Sequence, residues 1–278
     1  MRRFAQVDVF TAQAGLGNPV AVVIDGSGLT DEEMARFANW TNLSETTFVL
    51  PATSAEADYR VRIFTPAEEL PMAGHPTLGT CRALIDTGVV PDRGHWVQET
   101  AAGLVEIQAG EGGVLSFRAP TAVISESPIE PEAVVRVLGG VEPADLMLIE
   151  VGPRWLTGRL DPLALDTLLV DPTDFLATID SKLAVGINLY AVDAERQVHV
   201  RSFFDGGGVL TEDPVCGSGN AAVAVHLIQT GRTGDVPGTY QARQGSHRGR
   251  DGRIQVTPGE RVWVGGQTVT VITGTAAL

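Results

Sequence analysis

The chain has few of the residues that build disulfide frameworks and histidine-rich metal sites. Its 278 residues include only two cysteines, Cys81 and Cys216, which are too few for a disulfide framework. No Cys-x-x-Cys or His-x-x-x-His spacing occurs, and the five histidines are scattered along the chain. The sequence therefore gives no local support for a histidine-rich metal site.

Long apolar runs are also missing. No run of about 18 apolar residues occurs, which argues against a membrane-spanning helix. The N-terminal stretch "MRRFAQVDVF" carries two arginines but no apolar segment of the kind that signal peptides contain, and it indicates a first strand instead. We therefore expect a cytoplasmic protein that has no membrane partner.

Basic residues are outnumbered, with 20 Lys and Arg against 34 Asp and Glu, and the net charge is −14. A nucleic-acid partner is not expected, because binding a phosphate backbone needs a basic surface. A small anionic substrate would need local positive potential in its site, since the field of the whole protein would repel it.

What the chain does contain is typical of a soluble globular protein. Hydrophobic residues make up 44% and charged residues 19%, and the length allows one large domain or two domains of ordinary size. Alternating stretches such as "FAQVDVFTA" and the β-rich stretches "SETTFVL" and "YRVRIFT" predict strands. Thr30 and Glu33 form a capping-box pattern that predicts a helix after Thr30. A second helix is predicted over Thr77–Asp86, closed by Gly88.

The two halves of the chain contain a repeated pattern. "VRIF" at Val61–Phe64 resembles "VRSF" at Val200–Phe203, and "PMAGHP" at Pro71–Pro76 matches "PVCGSG" at Pro214–Gly219. Each match precedes an apolar helical run that ends in Thr-Gly, and one constant offset relates the two copies throughout. We interpret this as a two-fold repeat, which predicts two similar lobes facing each other across a cleft.

Each copy of the repeat places a glycine, Gly74 or Gly217, where a helix is predicted to begin. Pro76 suits the first helical position and Ser218 suits the N-cap position. Unpaired N–H groups and a partial positive charge at such a helix start can hold a carboxylate or a developing oxyanion. The alternative is a pair of ordinary capped helices packed on sheets.

Three polar residues break the symmetry or the local pattern. Asp213 matches Leu70 in the first copy, so the repeated structure does not require it; alternatively it is a solvated carboxylate in a turn. His75 matches Ser218 and is either a neutral hydrogen-bonding group at a helix start or a helix cap. Glu45 lies in the β-rich "NLSETTFVL", where it is either on a solvated strand face or a desolvated general acid and base.

Several stretches together resemble the PhzF-like family of phenazine-biosynthesis isomerases, over nearly the whole chain and in order. They are "GNPVAVV" (17–23), "NLSETTFVL" (42–50), "RIFTPAEELPMAGHPTLGT" (62–80), "QETAAG" (98–103), "GPRW" (152–155) and "EDPVCGSGN" (212–220). The resemblance implies the α+β fold of diaminopimelate epimerase, with two pseudo-symmetric lobes that are each a barrel-like, mostly antiparallel sheet around a central helix. We expect an N-terminal lobe over residues 1–118 and a C-terminal lobe over 119–278, with the last strand, about 268–278, a candidate to return to the N-terminal lobe.

The resemblance also implies roles for residues. Glu45 falls on the family's catalytic glutamate, and His75, Asp213 and Ser218 fall on substrate-binding positions. Gly74 and Gly217 would supply backbone donors to the substrate. The implied activity is isomerisation of a small cyclic carboxylate such as a dihydro-hydroxyanthranilate, with no metal or organic cofactor, in a homodimer.

The presence of Cys216 allows other interpretations of the function. Related epimerases use one cysteine from each repeat as opposed bases, but Ala73 occupies the matching first-repeat position here. A single-thiol role, in an epimerase or racemase that uses Glu45 and Cys216, stays open because a helix N-terminus would stabilise a thiolate. The other interpretations are a small buried side chain at this position and, for the whole protein, a non-catalytic small-molecule-binding protein.

Overall fold

The computed structural model describes all 278 residues and divides them into two compact units. The first unit contains Met1–Arg118, Arg250–Arg253 and Gly265–Leu278. The second contains Ala119–Gly249 and Ile254–Val264. No helix in the structure combines the length and the apolar character that crossing a membrane requires.

Strands make up most of the regular structure. In chain order they are β1 (Arg2–Val9), β2 (Asn18–Val23), β3 (Glu45–Leu50), β4 (Tyr59–Phe64), β5 (Glu69–Leu70), β6 (His95–Thr100), β7 (Gly103–Ala109), β8 (Val114–Arg118), β9 (Val123–Ser125), β10 (Ala144–Glu150), β11 (Arg154–Arg159), β12 (Gly186–Val192), β13 (Val198–Asp205), β14 (Leu210–Glu212), β15 (Tyr240–Gln244), β16 (Gly252–Thr257) and β17 (Trp263–Ala276).

The helices are fewer. They are α1 (Asp31–Thr41), α2 (Gly74–Asp86), α3 (Pro131–Val137), α4 (Pro162–Thr167), α5 (Pro172–Thr178) and α6 (Gly217–Gln229), with short 3₁₀ turns at Glu111–Gly113, Thr233–Asp235 and Ser246–Arg248.

The sheet of the first unit closes on itself. Hydrogen-bonded neighbours follow in the order β1-β2-β3-β4-β6-β7-β8-β17, and β17 pairs back with β1. Most of these pairs are antiparallel. The parallel pairs β2·β3 and β4·β6 are bridged by α1 and α2, since parallel neighbours need a crossover connection.

Helix α2 is the central helix of this unit and packs against β1, β2, β3 and β8. Nine of its residues are buried, so its sequence is apolar or small around most of its circumference. It approaches β2 closely at Gly79, where an added Cβ would lie 2.3 Å from Cγ1 of Val20. Helix α1 buries one face only, with Met34 and Ala38 in a cluster that also contains Phe48.

The second unit repeats this plan. Its strands pair in the order β9-β10-β11-β12-β13-β15, with parallel pairs at β11·β12 and β13·β15. Helix α6 packs against β10, β11 and β12 and is buried almost throughout. A separate apolar core lies under α3, α4 and α5 and includes Val137, Leu165 and Phe175.

The two central helices confirm the repeat that the sequence predicts. Both have 13 residues and both end at a threonine C-cap. The glycine that follows each has left-handed backbone geometry, with φ of 67° at Gly88 and 68° at Gly231. Because a residue with a Cβ is strained at such a φ, the Thr-Gly ending of each run has a direct physical reason.

The starts of the two helices differ from the sequence prediction. Helix α2 begins at Gly74, not at Thr77, which makes Pro76 its third residue instead of its first. Proline is accommodated there because the first four N–H groups of a helix have no intrahelical partner. Ser218 is not the N-cap of α6. That position belongs to Cys216, whose Sγ accepts a hydrogen bond from the Gly219 N–H at 3.2 Å. The capping box at Thr30 and Glu33 is confirmed.

Candidate active site

The residues singled out from the sequence form two sets, one in each unit. Glu45, Gly74 and His75 belong to the first unit. Asp213, Cys216, Gly217 and Ser218 belong to the second.

Glu45 is the first residue of β3, and local geometry explains its placement. Asn42 ends α1 in the left-handed conformation, with φ of 54°, and turns the chain toward the strand. Glu45 then pairs with Val20 of the parallel strand β2. Its side chain is only 15% exposed, so Glu45 does not lie on a solvated strand face.

His75 is the second residue of α2, and its side chain is 7% exposed. Burial lowers the pKa of His75 to about 3, and a hydrogen bond to the backbone carbonyl of Pro19 offsets part of that effect. The imidazole is therefore neutral at pH 7. Since α2 is capped at Ala73 without a side-chain hydrogen bond, His75 is not a helix cap.

Glu45 and His75 are in direct contact. Nε2 of His75 lies 3.2 Å from Oε2 of Glu45, but the two atoms are not aligned as a hydrogen bond. Because Nε2 makes no hydrogen bond, the N–H that donates to Pro19 is assigned to Nδ1. The neutral ring thus presents the lone pair of Nε2 to the glutamate. Pro19 belongs to the "GNP" stretch, whose role the sequence did not reveal.

Asp213 follows β14 directly, and its backbone N–H donates to the Ser202 carbonyl at 2.9 Å. Its carboxylate accepts from the Val215 N–H at 2.9 Å. Although the residue is only half-buried, protein atoms surround its carboxyl group, and this desolvation raises the pKa of Asp213 to about 6. The hydrogen bonds from Val215 and Cys216 oppose the shift, so a solvated turn carboxylate is not what the structure has.

Cys216 is buried, and its thiol contacts Asp213 and Ser218. Burial, and next the negative charge of Asp213, raise the pKa of the Cys216 thiol well above its usual value. Burial and the Asp213 charge therefore oppose the thiolate that the helix N-terminus is expected to stabilise.

Ser218 is the second residue of α6 and is held by Trp155, whose indole Nε1 donates to Oγ at 3.0 Å. The sequence contains Trp155 in the "GPRW" stretch but gives it no role. Sequence reasoning also missed Gln244, which donates to the Asp213 carbonyl. Tyr240, Ala242 and Gln244 alternate with exposed residues along β15, and that alternation placed a glutamine on the buried face.

No group of three or more His, Cys, Asp or Glu side chains in the structure is arranged to hold a metal ion. The polar groups of both sets are carboxyl, imidazole, hydroxyl, thiol and backbone N–H groups. Such groups can transfer protons and can bind a small polar molecule.

The model of the PhzC-PhzF family, described as phenazine biosynthesis-like protein, matches residues 7–274. The chain belongs to this family. The resemblance seen in its motifs is thus confirmed. The chain is 35% identical to trans-2,3-dihydro-3-hydroxyanthranilate isomerase of Pseudomonas aeruginosa, with 94% of this chain and 93% of the relative covered. It is 36% identical to "antisense-enhancing sequence 1" of Schizosaccharomyces pombe (98% and 97% covered) and 32% identical to an uncharacterized isomerase of Pasteurella multocida (95% and 90%).

Solved structures agree with this PhzC-PhzF assignment. A predicted epimerase from Pseudomonas aeruginosa matches with a TM-score of 0.83 at 26% identity and full coverage of both chains. A PhzF family protein from Bacillus anthracis matches with a TM-score of 0.82 at 25% identity, covering 100% of this chain and 99% of the other. A probable proline racemase from Agrobacterium radiobacter shares the fold, with a TM-score of 0.68 at 16% identity and coverage of 100% and 93%. The predicted fold class is confirmed, and the PhzC-PhzF chain is an enzyme of the isomerase type.

Proposed function

We propose that the chain is a cofactor-independent isomerase that moves a proton between carbons of a small cyclic carboxylate, with Glu45 as the acid and base. The observation that carries this proposal is the contact of Glu45 with His75. Trans-2,3-dihydro-3-hydroxyanthranilate is the first substrate to test, because curated relatives at 35% and 31% identity bear the name of its isomerase.

The contact supports proton transfer for an electrostatic reason. Oε2 of Glu45 and the Nε2 lone pair of a neutral His75 are both acceptors and lie 3.2 Å apart. Two acceptors at that distance repel each other unless a proton lies between them. The pair therefore favours holding one proton. In the proposed reaction, Glu45 first takes this proton from one carbon of the substrate and then gives it to another carbon.

The helix starts supply the stabilisation of negative charge. Removing a proton from carbon leaves negative charge on the substrate, and preorganised N–H donors lower the energy of that charge. Gly74 and Gly217 are the first residues of α2 and α6, and glycine has no side chain that would keep a ligand away from the backbone. These donors also provide local positive potential for a carboxylate in a chain of net charge −14.

Asp213 and Ser218 bind polar groups of the substrate in this proposal. The Ser218 Oγ accepts from Trp155, which leaves its hydroxyl proton to be donated. The carboxyl group of Asp213 has a pKa of about 6, so it changes between donor and acceptor near neutral pH. The epimerase that would use Cys216 as a second base is less favoured, because the buried thiol stays protonated.

Proton NMR of substrate and product tests the proposal. Wild-type protein is incubated with trans-2,3-dihydro-3-hydroxyanthranilate and with a panel of other cyclic carboxylates, and the carbon-bound protons are followed. We expect one compound to lose a proton signal at one carbon and gain one at another. Binding without any change of the carbon-bound protons, for every compound, would instead favour a non-catalytic binding protein.

A further inference from the structure

Gln244 is a buried amide at the end of β15. It is 4% exposed, and its side chain lies on the same face of the strand as Tyr240 and Ala242. Burying an amide without hydrogen bonds is energetically costly, because the group loses its hydrogen bonds to water. A glutamine on a buried strand face therefore needs a full set of partners.

Gln244 has that full set, and its partners surround the start of α6. Its Oε1 accepts from the Cys216 N–H at 3.1 Å and from Nδ2 of Asn220 at 2.9 Å. Its Nε2 donates to Oγ of Ser202 and to the Asp213 carbonyl, both at 3.2 Å. Both donor positions and both acceptor positions of the amide are used. One side chain thus ties the backbone of Asp213 to the N-cap of α6.

The network continues around Gly219. Ser202 donates to Oδ1 of Asn188 at 2.7 Å, and Nδ2 of Asn188 donates to the Gly219 carbonyl at 2.8 Å. An added Cβ on Gly219 would lie 2.8 Å from the Asn188 oxygen and 2.9 Å from the Ser202 oxygen. The network therefore fixes the backbone on both sides of Ser218. It does not use the Ser218 hydroxyl, which Trp155 contacts instead.

The first unit shows that the repeated fold does not require this arrangement. There a buried glutamine, Gln98, donates to Oγ1 of Thr77, the fourth residue of α2, at 2.8 Å. Asn220 is the fourth residue of α6. However, Oε1 of Gln98 has no hydrogen-bond partner, so Gln98 does not hold the backbone before α2. The complete network belongs to the unit that contains Asp213 and Ser218.

We propose that Gln244 is a positioning residue for the reaction. It holds the Asp213 backbone and the first N–H groups of α6 in the arrangement that the substrate needs. This inference rests on the proposed function, in which Asp213, Gly217 and Ser218 bind the substrate. Gln244 itself does not touch the substrate in this account.

Kinetics of three variants test the proposal. Gln244→Leu keeps the volume of the side chain and removes every hydrogen bond, and Gln244→Glu keeps the acceptors. Gln241→Leu is the matched control, because Gln241 is exposed on the same strand. With trans-2,3-dihydro-3-hydroxyanthranilate, we expect kcat of folded Gln244→Leu to fall about 10- to 100-fold with KM changed less than about threefold. A kcat within about threefold of wild type, as expected for Gln241→Leu, would overturn the proposal.

The second variant, Gln244→Glu, tests whether restoring the hydrogen bonds of residue 244 restores activity. At pH 5 a buried carboxyl group is protonated, since desolvation raises its pKa, and it can both donate and accept as the amide does. We expect kcat of Gln244→Glu at pH 5 to exceed that of Gln244→Leu by about tenfold. Equal kcat values of folded Gln244→Glu and Gln244→Leu at pH 5 would overturn the positioning role. The two side chains have similar volumes, so only their hydrogen bonds can make their activities differ.

A third measurement needs no substrate. Iodoacetamide alkylation of Cys216 is followed by mass spectrometry, with the buried Cys81 as an internal control. If Gln244 holds the N-cap of α6, iodoacetamide should alkylate Cys216 about tenfold faster in Gln244→Leu than in wild type, while the alkylation rate of Cys81 stays the same. An unchanged Cys216 rate would contradict the proposal. A wild-type protein that does not convert the substrate contradicts the proposed function alone, and the alkylation rates still decide on Gln244.

Discussion

Nε2 of His75 lies 3.2 Å from Oε2 of Glu45, and both side chains are largely buried. The first atom belongs to a helix start and the second to the start of a strand, so two elements of the first unit bring them together. Burial keeps the imidazole neutral, and the Pro19 carbonyl fixes which nitrogen faces the glutamate. Because the imidazole is neutral, the two side chains do not form a permanent ion pair, which agrees with the proton-transfer role proposed for Glu45.

Asp213 should make the stability of the protein depend on pH. Its pKa is raised from 3.8 to about 6 in the folded state, so the folded protein binds more protons than the unfolded chain between these values. The contribution of Asp213 is thus fully present below pH 3.8 and is lost as the pH rises through 6. The unfolding free energy of Asp213→Asn minus that of wild type should therefore be about 2 kcal/mol larger at pH 7.5 than at pH 3.5.

Urea denaturation of both proteins at the two pH values measures that difference. Asp174→Asn is a suitable control, because Asp174 is exposed on α5. An Asp213→Asn difference that does not change with pH would mean that the carboxyl group is not desolvated. Asp213→Asn should also lose substrate affinity. That result would show that the carboxyl group serves substrate binding although it lowers the stability of the protein at neutral pH.

Trp155 should act through Ser218. Trp155→Phe keeps a ring and removes the N–H that donates to Oγ of Ser218 at 3.0 Å. We expect kcat/KM to fall about threefold to tenfold, since a neutral hydrogen bond contributes about 1 kcal/mol. A double-mutant cycle with Ser218→Ala measures the coupling. The two effects should be non-additive by about 1 kcal/mol, and strictly additive effects would show that the hydrogen bond does not matter to catalysis.

Gly219 should tolerate no side chain. Gly219→Ala would place Cβ 2.8 Å from Oδ1 of Asn188 and 3.2 Å from Sγ of Cys216. We expect a loss of about 1–3 kcal/mol in unfolding free energy, because overpacking shifts the buried network. Gly238→Ala is the matched control, since an added Cβ there meets open space. Thermal unfolding compares the two, and equal melting temperatures would show that the network yields without cost.

Cys216 should not act as a thiolate. Cys216→Ser keeps a hydrogen-bonding N-cap for α6, and serine is a preferred residue at that position. We expect kcat of Cys216→Ser to stay within about threefold of wild type, because a hydroxyl can donate and accept hydrogen bonds at the positions where the protonated thiol does so more weakly. A loss of about 100-fold, with the fold intact by circular dichroism, would instead indicate that sulfur chemistry is required.

The repeat and several strands were predictable because they depend on local patterns, whereas the fold class followed from the family resemblance. Alternation of side chains, the Thr30–Glu33 capping box and the Thr-Gly helix endings each act over a few residues. The helix starts were less predictable. Proline at position 76 and serine at position 218 favoured boundaries that tertiary packing overrides, and a cysteine became the N-cap of α6.

The partners of the candidate residues could not be predicted from local patterns. Trp155 is 63 residues from Ser218 in the chain, and Gln244 is 28 residues from Cys216. Such contacts depend on how strands pair, which the sequence does not specify by itself. The raised pKa of the Cys216 thiol was likewise not predictable, because it depends on burial and on the nearby Asp213 carboxyl group, which are properties of the tertiary structure.

The most direct test of the central claim is the rate of product formation by Glu45→Gln. This variant keeps the size and hydrogen-bonding capacity of the side chain and removes its ability to carry a proton as an acid or base. With trans-2,3-dihydro-3-hydroxyanthranilate, or whichever carboxylate the wild type converts, we predict that kcat falls by about 10³-fold while circular dichroism and the melting temperature are unchanged. Product formation by folded Glu45→Gln within about tenfold of the wild-type rate would contradict the account.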